Sequence, residues 1–260
     1  MTEQANRVDT FRAILAAAAT VGVIAFNFLA ATGRLNGVDT GAISDKYTTP
    51  VTPAGYAFSI WSLIYTGLIA FSVWQLLPAN RARFANIRSF YILSCAFNCG
   101  WLYMWHSEQI AICSLLLFLL AVTLFFINLY LRRTEGPGDY WLVKAPFGIY
   151  FGWVTAATLV NFAILMVYWR VDLSATAWTG VSVALILLAA ALGVLIRIRL
   201  NNYLYPLAVA WALTAIGVKQ SGHTLVVVAT AIGTIACLIA CLSFVLNMPS
   251  SDKPRESAQV

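Results

Sequence analysis

The stretch QIAICSLLLFLLAVTLFFINLYL, Gln109 to Leu131, carries no charged side chain. A helix rises 1.5 Å per residue, so about 20 apolar residues cross the hydrocarbon layer of a bilayer, and this run is long enough. Seven further runs flank it: Phe11 to Thr32, Tyr56 to Leu77, Ser89 to Trp105, Leu142 to Trp169, Ala177 to Ile196, Tyr203 to Val218 and Thr224 to Leu246. The third and seventh spans in chain order, Ser89 to Trp105 and Tyr203 to Val218, are short. Each is separated from its successor by a polar break, His106 to Gln109 (HSEQ) and Lys219 to His223 (KQSGH), so each pair reads as a helical hairpin. The strict alternation of barrel strands is absent, and a helix satisfies its own backbone hydrogen bonds in lipid. The chain therefore reads as an all-α integral membrane protein with about eight transmembrane helices.

Composition agrees with that reading. Hydrophobic residues make up 61% of the 260 positions and charged residues 10%, more apolar surface than one soluble core hides. The net charge of +6 does not indicate nucleic acid, because the cations sit in short clusters between apolar runs. Of the 16 Lys and Arg, only Arg34, Lys46, Arg170 and Lys219 fall on one side of the expected topology. The other 12 fall at the N-terminus, in the second, fourth and sixth connections and in the C-terminal tail, which predicts cytoplasmic termini in a bacterial cytoplasmic membrane. The first span, preceded by Arg7 and Arg12, is too long for a secretory signal and lacks a convincing cleavage site. Cys95, Cys99, Cys113, Cys237 and Cys241 all lie within spans, two pairs at a spacing of four, and read as small packing residues rather than disulfides or metal ligands.

Absences narrow the mechanism. Every Asp and Glu falls outside the deep part of a span, so a proton pump built on buried acids is not expected. No lysine sits mid-span to form a retinal Schiff base; Lys144 and Lys219 lie near span ends, where lysines snorkel to the interface.

What the spans do carry is aromatic and weakly polar. Phe58, Trp61 and Tyr65 share one face of the second span; Ser94, Asn98, Trp101 and Trp105 share one face of the third; Tyr150, Trp153, Ala157 and Asn161 share one face of the fifth. Singly, such residues serve as interfacial belt, packing or interhelical glue. Three similar stripes facing one another predict a pocket with flat walls and a few hydrogen-bonding groups, suited to a small flat hydrophobic ligand. The segment VTPAGYAFSIWSLIY, Val51 to Tyr65, leads into the first stripe, with Pro53 and Gly55 as a candidate loop hinge.

These residues resemble the tryptophan-rich sensory protein, or translocator protein (TspO/MBR), family. Pro53, Gly55, Phe58, Ile60, Trp61, Ile64 and Tyr65 are similar to its proline-containing loop and second helix. Leu93 to Trp101 (LSCAFNCGW) resembles its third-helix pattern at Asn98 and Trp101, and Ala145 to Asn161 resembles its fifth-helix pattern at Pro146, Trp153 and Asn161. The loop departs from the family's Trp-x-Pro-Pro at Val51 and Ala54, and Ser94-Cys95 stands where glutamine is frequent. The resemblance runs from Phe11 to Arg170, so the first five spans are expected to form a TspO/MBR-like five-helix bundle. The expected division is then a terminus over 1–10, that bundle over 11–170, a three-helix membrane extension over 171–247 and a polar tail over 248–260.

The resemblance implies binding of porphyrins or other flat molecules such as sterols, with a porphyrin or haem-like group as a bound ligand, and it makes a homodimer plausible. It places Trp61 and Trp153 at the ligand, with Asn98 and Asn161 in support, and the loop from Asn36 to Gly55 over the pocket. Three roles stay open: a sensor or regulator, an enzyme that breaks down a porphyrin oxidatively or with light, and a tetrapyrrole carrier. His106, Glu108 and His223 at the loop side read as solvated residues. Tyr168, Trp169 and Arg170 read as an interfacial anchor.

Overall fold

This computed structural model describes residues 3–134 and 136–243. The described residues are helical, with no strand. In chain order the helices are α1 (Glu3–Ala31), α2 (Thr40–Lys46), α3 (Ile60–Leu76), the single turn α4 (Pro78–Arg81), α5 (Ala85–His106), α6 (Ile110–Tyr130), the turn α7 (Pro137–Asp139), α8 (Ala145–Tyr168), α9 (Ala175–Leu200), α10 (Tyr205–Lys219) and α11 (Thr224–Leu242). Six segments are long and apolar enough to cross a bilayer: Val8–Ala31, Gly55–Leu76, Ile110–Arg133, Pro137–Tyr168, Ala175–Leu200 and Thr224–Leu242. The remaining two expected spans are also helices. α5 is long but more polar, and α10 is an apolar helix of 15 residues.

Local chemistry sets the boundaries. Leu77 precedes Pro78 and is extended (ψ 134°), which ends α3, because a residue before proline is pushed out of the helical region. Ser174 caps α9 by accepting from Ala177 N at 3.2 Å, and Asn201, left-handed at φ 52°, closes that helix. The expected hairpins form at both polar breaks, with Glu108 taking a positive φ in the tight turn between α5 and α6.

Three expectations change. α5 starts at Ala85, before the expected Ser89, and so draws Arg88 into the bundle. Arg88 is fully buried: its Nη1 donates to Asp9 of α1, its Nε to Gln75 Oε1 of α3 at 2.7 Å and its Nη2 to the carbonyl of Arg81, while Gln75 Nε2 donates to Ala13 O at 2.9 Å. A residue counted as a loop charge thus ties α5 to α1, α3 and α4, and Asp9 is a buried carboxylate near the start of α1. The connection Gly33 to Gly55 is not only loop, because Asp39 caps α2 by accepting from Ala42 N at 2.9 Å. The last span, expected to run to Leu246, is helical to Leu242; residues 244–246 and the tail 248–260 lie outside the described residues.

The last three helices pack directly onto the first five. A Cβ on Gly152 of α8 would collide with the backbone carbonyl oxygen of Tyr205 at the start of α10, so only glycine allows this approach. Tyr205 Oη donates to Thr155 Oγ1 of α8 at 3.0 Å. Asn202, just before α10, donates to Asn128 Oδ1 at 3.0 Å and to Lys144 O at 2.7 Å. A chain turn lies at the expected boundary of residue 170, and buried polar and backbone contacts join the segments on either side of it.

Candidate functional site

The three stripes expected from sequence do converge. Trp61, in the first turn of α3, stacks on Tyr65 (centroids 5.5 Å, 16°) and on Trp101 of α5 (5.8 Å, 29°). It meets Tyr150 and Trp153 of α8 edge-on at 5.9 and 6.4 Å. Phe58, in the short 3₁₀ turn Gly55–Ser59, meets Trp153 edge-on at 6.0 Å, and Trp101 stacks on Trp105 at 6.4 Å. Phe58, Trp61, Tyr65, Trp101, Trp105, Tyr150 and Trp153 therefore form one continuous aromatic cluster. Both stacking and edge-to-face contact are favourable ring arrangements.

The amides divide. Asn98, fully buried, donates to Tyr150 Oη at 3.0 Å and accepts from Asn27 Nδ2 of α1 at 2.9 Å, which fixes the ring that backs Trp61. Asn161 instead accepts from Ser114 Oγ at 3.4 Å and Cys113 Sγ at 3.7 Å, joining α8 to α6. Asn27 was not among the residues expected from sequence. It stands alone on an apolar helix, and only the position of α1 reveals its partner.

The rings themselves occupy the space between α3, α5 and α8. What remains among Phe58, Trp101, Trp105, Trp153 and Asn161, with Pro53 at its edge, is a cavity of about 40 Å³. Such a space suits a water, not a ring system. The indole N–H of Trp153, on the wall of this cavity, is buried without a hydrogen-bond partner in the protein. A ligand-sized space lies on the other side of the cluster. A crevice of about 780 Å³ is walled by Phe58, Trp61 and Tyr65, by Asn27 and Phe28 of α1 and by the start of α2, with Gly55 at its border. Its volume falls within the range of small-molecule sites. Tyr65, on its wall, has a buried hydroxyl with no hydrogen-bond partner. Gly55 has an ordinary backbone conformation, and a Cβ there would meet nothing within 4 Å; the positive φ values of the loop are at Gly33 and Gly37.

The loop that carries α2 is clasped from two sides. From α5 and its turn, Trp105 Nε1 donates to Thr40 O at 3.1 Å, His106 Nδ1 pairs with Asn36 Oδ1 at 2.8 Å, and Glu108 takes Lys46 and the Tyr47 hydroxyl. From α10, Trp211 Nε1 donates to Ala57 O at 3.0 Å, Ala215 O accepts from Ala54 N at 3.0 Å, and the buried Gln220 Nε2 spans Thr49 O and Thr52 O at 3.2 and 3.1 Å. Lys219 adds an ion pair to Asp45 at 3.1 Å. His106 and Glu108 thus belong to the clasp rather than to solvent alone. The contribution of α10 was hidden in sequence, where Trp211 and Gln220 look like an ordinary span and its polar end.

Two expected outcomes follow from the clasp. Gln220→Leu leaves the Thr52 carbonyl unpaired and takes one of two donors from the Thr49 carbonyl, which still accepts from Thr52 N; this costs about 1–3 kcal/mol and should speed hydrogen exchange at Val51, Ala54 and Ala57 while leaving the α6 amides unchanged. The Lys46 and Tyr47 hydrogen bonds hold the Glu108 carboxyl below its ordinary range, whereas burial, then Glu108, pushes Tyr47 up to about 12. A depressed carboxyl stabilises the docked loop above its unfolded value and loses that effect as pH falls through the folded one. Loop opening, read as each exchange rate divided by the intrinsic rate at that pH, should therefore be flat through neutral pH and rise below about pH 4. Glu108→Gln should abolish the rise.

The sequence matches the family described as TSPO-like protein over residues 13–244. The chain belongs to the TSPO-like family. The match extends past Arg170, where the resemblance seen in sequence ends, and takes in α9 and α10 and all of α11, so the clasp from α10 lies inside the family match. No curated protein and no solved structure gives a significant match. As a TSPO-like chain with these apolar helices, it is an integral membrane protein whose environment is the lipid bilayer.

Proposed function

We propose that this TSPO-like protein binds a flat hydrophobic molecule of tetrapyrrole or sterol size in the crevice beside Trp61 and Tyr65, and acts as a membrane sensor or regulator. The observation that carries the reading is the crevice itself: a space of about 780 Å³ with a stacked Trp61–Tyr65 pair on one wall and α2 on another. A planar ring against Trp61 and Tyr65 gains stacking area, and Asn27 and Ser62 on the crevice wall offer polar contacts. Such a ligand also touches Thr40 and Asp45 of the clasped loop, so binding and loop position become linked, which is what a sensor requires. The distribution of Lys and Arg supports termini on the cytoplasmic side, with the crevice mouth on the opposite face.

Titration of the purified protein with protoporphyrin against tryptophan fluorescence, in the dark and in light, tests this. Saturable quenching at micromolar ligand supports the reading, and no quenching at that concentration overturns it. Light-dependent loss of the porphyrin spectrum that requires Trp61 or Trp153 would replace the sensor by an enzyme.

A further inference from the structure

A further concavity exceeds both the aromatic cavity and the crevice in volume. A trough of about 1270 Å³ runs between α9 and α11, and Thr48 to Pro50 of the clasped loop and the end of α8 close one end of it. Its polarity is graded along both helices. The loop end carries Arg170, Asp172, Thr176 and His223; deeper along the same helices the walls are Val183 and Leu187 on α9 and Val228 and Ile232 on α11. From Thr176 to Leu187 the helix rises roughly 16 Å. Half of a hydrocarbon layer is about 15 Å, so the trough spans one leaflet with its polar rim at headgroup level. Arg170 and Asp172 are exposed on the turn between α8 and α9, and neither pairs with another described residue.

We infer that the trough holds one membrane phospholipid with an ethanolamine headgroup. An acyl chain lies along the aliphatic wall, the phosphate sits at Arg170 and the ammonium at Asp172. The walls argue against a flat ring, since Trp178 is the sole Phe, Trp or Tyr lining the trough among the described residues. The pair of opposite charges at the rim matches a zwitterion better than an anionic lipid. This inference does not depend on the crevice.

The test uses the full-length protein, delipidated in detergent, titrated with phosphatidylethanolamine or phosphatidylglycerol brominated on the chain. The fluorescence of Trp178 is isolated as the difference between wild type and Trp178→Phe. The expected result is saturable quenching, with ethanolamine lipid preferred about threefold, the worth of one exposed ion pair. Asp172→Asn should erase the preference. Gly180 lines the trough two residues from Trp178, and a Cβ there meets nothing within 4 Å, so Gly180→Leu starts its side chain in open space, places an isobutyl group in the trough and should weaken the quenching. Quenching linear in lipid mole fraction and unchanged by Gly180→Leu overturns the inference. So does equal binding of the two lipids by wild type, or displacement of the lipid by a sterol or by phosphoethanolamine alone.

Discussion

Arg88→Ala is expected to destabilise the protein by about 3–5 kcal/mol, because removing one partner of a buried ion pair leaves the other charge uncompensated. Here the stranded groups are the carboxylate of Asp9 and the amide of Gln75, each on a different helix. Asp9→Leu, Gln75→Leu and Arg88→Met together remove the whole network, and replacing a buried network by apolar groups of similar volume is often neutral or stabilising. Thermal unfolding in detergent should show a large drop in midpoint for the single variant and recovery of most of it in the triple one. Equal loss in both would mean that the bonds of Arg88 to Asp9 and Gln75 are themselves net stabilising, and that the stranded carboxylate is not the cause.

Gly152→Ala should cost about 1–3 kcal/mol, the range for overpacking a tight interface. The added methyl meets the Tyr205 carbonyl, which is backbone and cannot rotate away as a side chain could. The expected relief is a shift of α10 off α8, and α10 carries Trp211, Ala215 and Gln220, the groups that clasp the loop. Gly152→Ala should therefore also speed hydrogen exchange at Ala54 and Ala57, far from the substitution. Gly180→Ala makes the contrasting case, since nothing stands near that position and alanine favours a helix; it should be neutral or stabilising in the same melt.

Much of this architecture was legible in the residues. Spans were readable wherever apolar length decides, as at Ile110–Tyr130, and the breaks at His106–Gln109 and Lys219–His223 were readable because polar clusters cannot sit in lipid. The aromatic stripes were readable because Phe58, Trp61 and Tyr65, like Asn98, Trp101 and Trp105, recur at helical spacing. What periodicity could not supply was partnership. Arg88 sits four residues into α5, and nothing local says that Asp9 and Gln75 meet it. Gln220 sits at a polar turn, and nothing local says that it spans two carbonyls some 170 residues away in sequence. Nor could periodicity say that the stripes, once facing each other, fill their own space and leave the ligand-sized opening in front of Trp61, against α1 and α2. That outcome depends on ring sizes and on the position of α1, both tertiary.

The central claim is the location of the ligand. Ser62, exposed on α3 and lining the crevice beside Trp61, is the place to test it. In a dark protoporphyrin titration followed by the Soret absorbance, Ser62→Trp should lower affinity at least about tenfold, a difference of about 1.4 kcal/mol, while its unfolding midpoint stays close to wild type. Unchanged affinity in a folded Ser62→Trp protein that binds porphyrin as wild type does would contradict the crevice as the binding site.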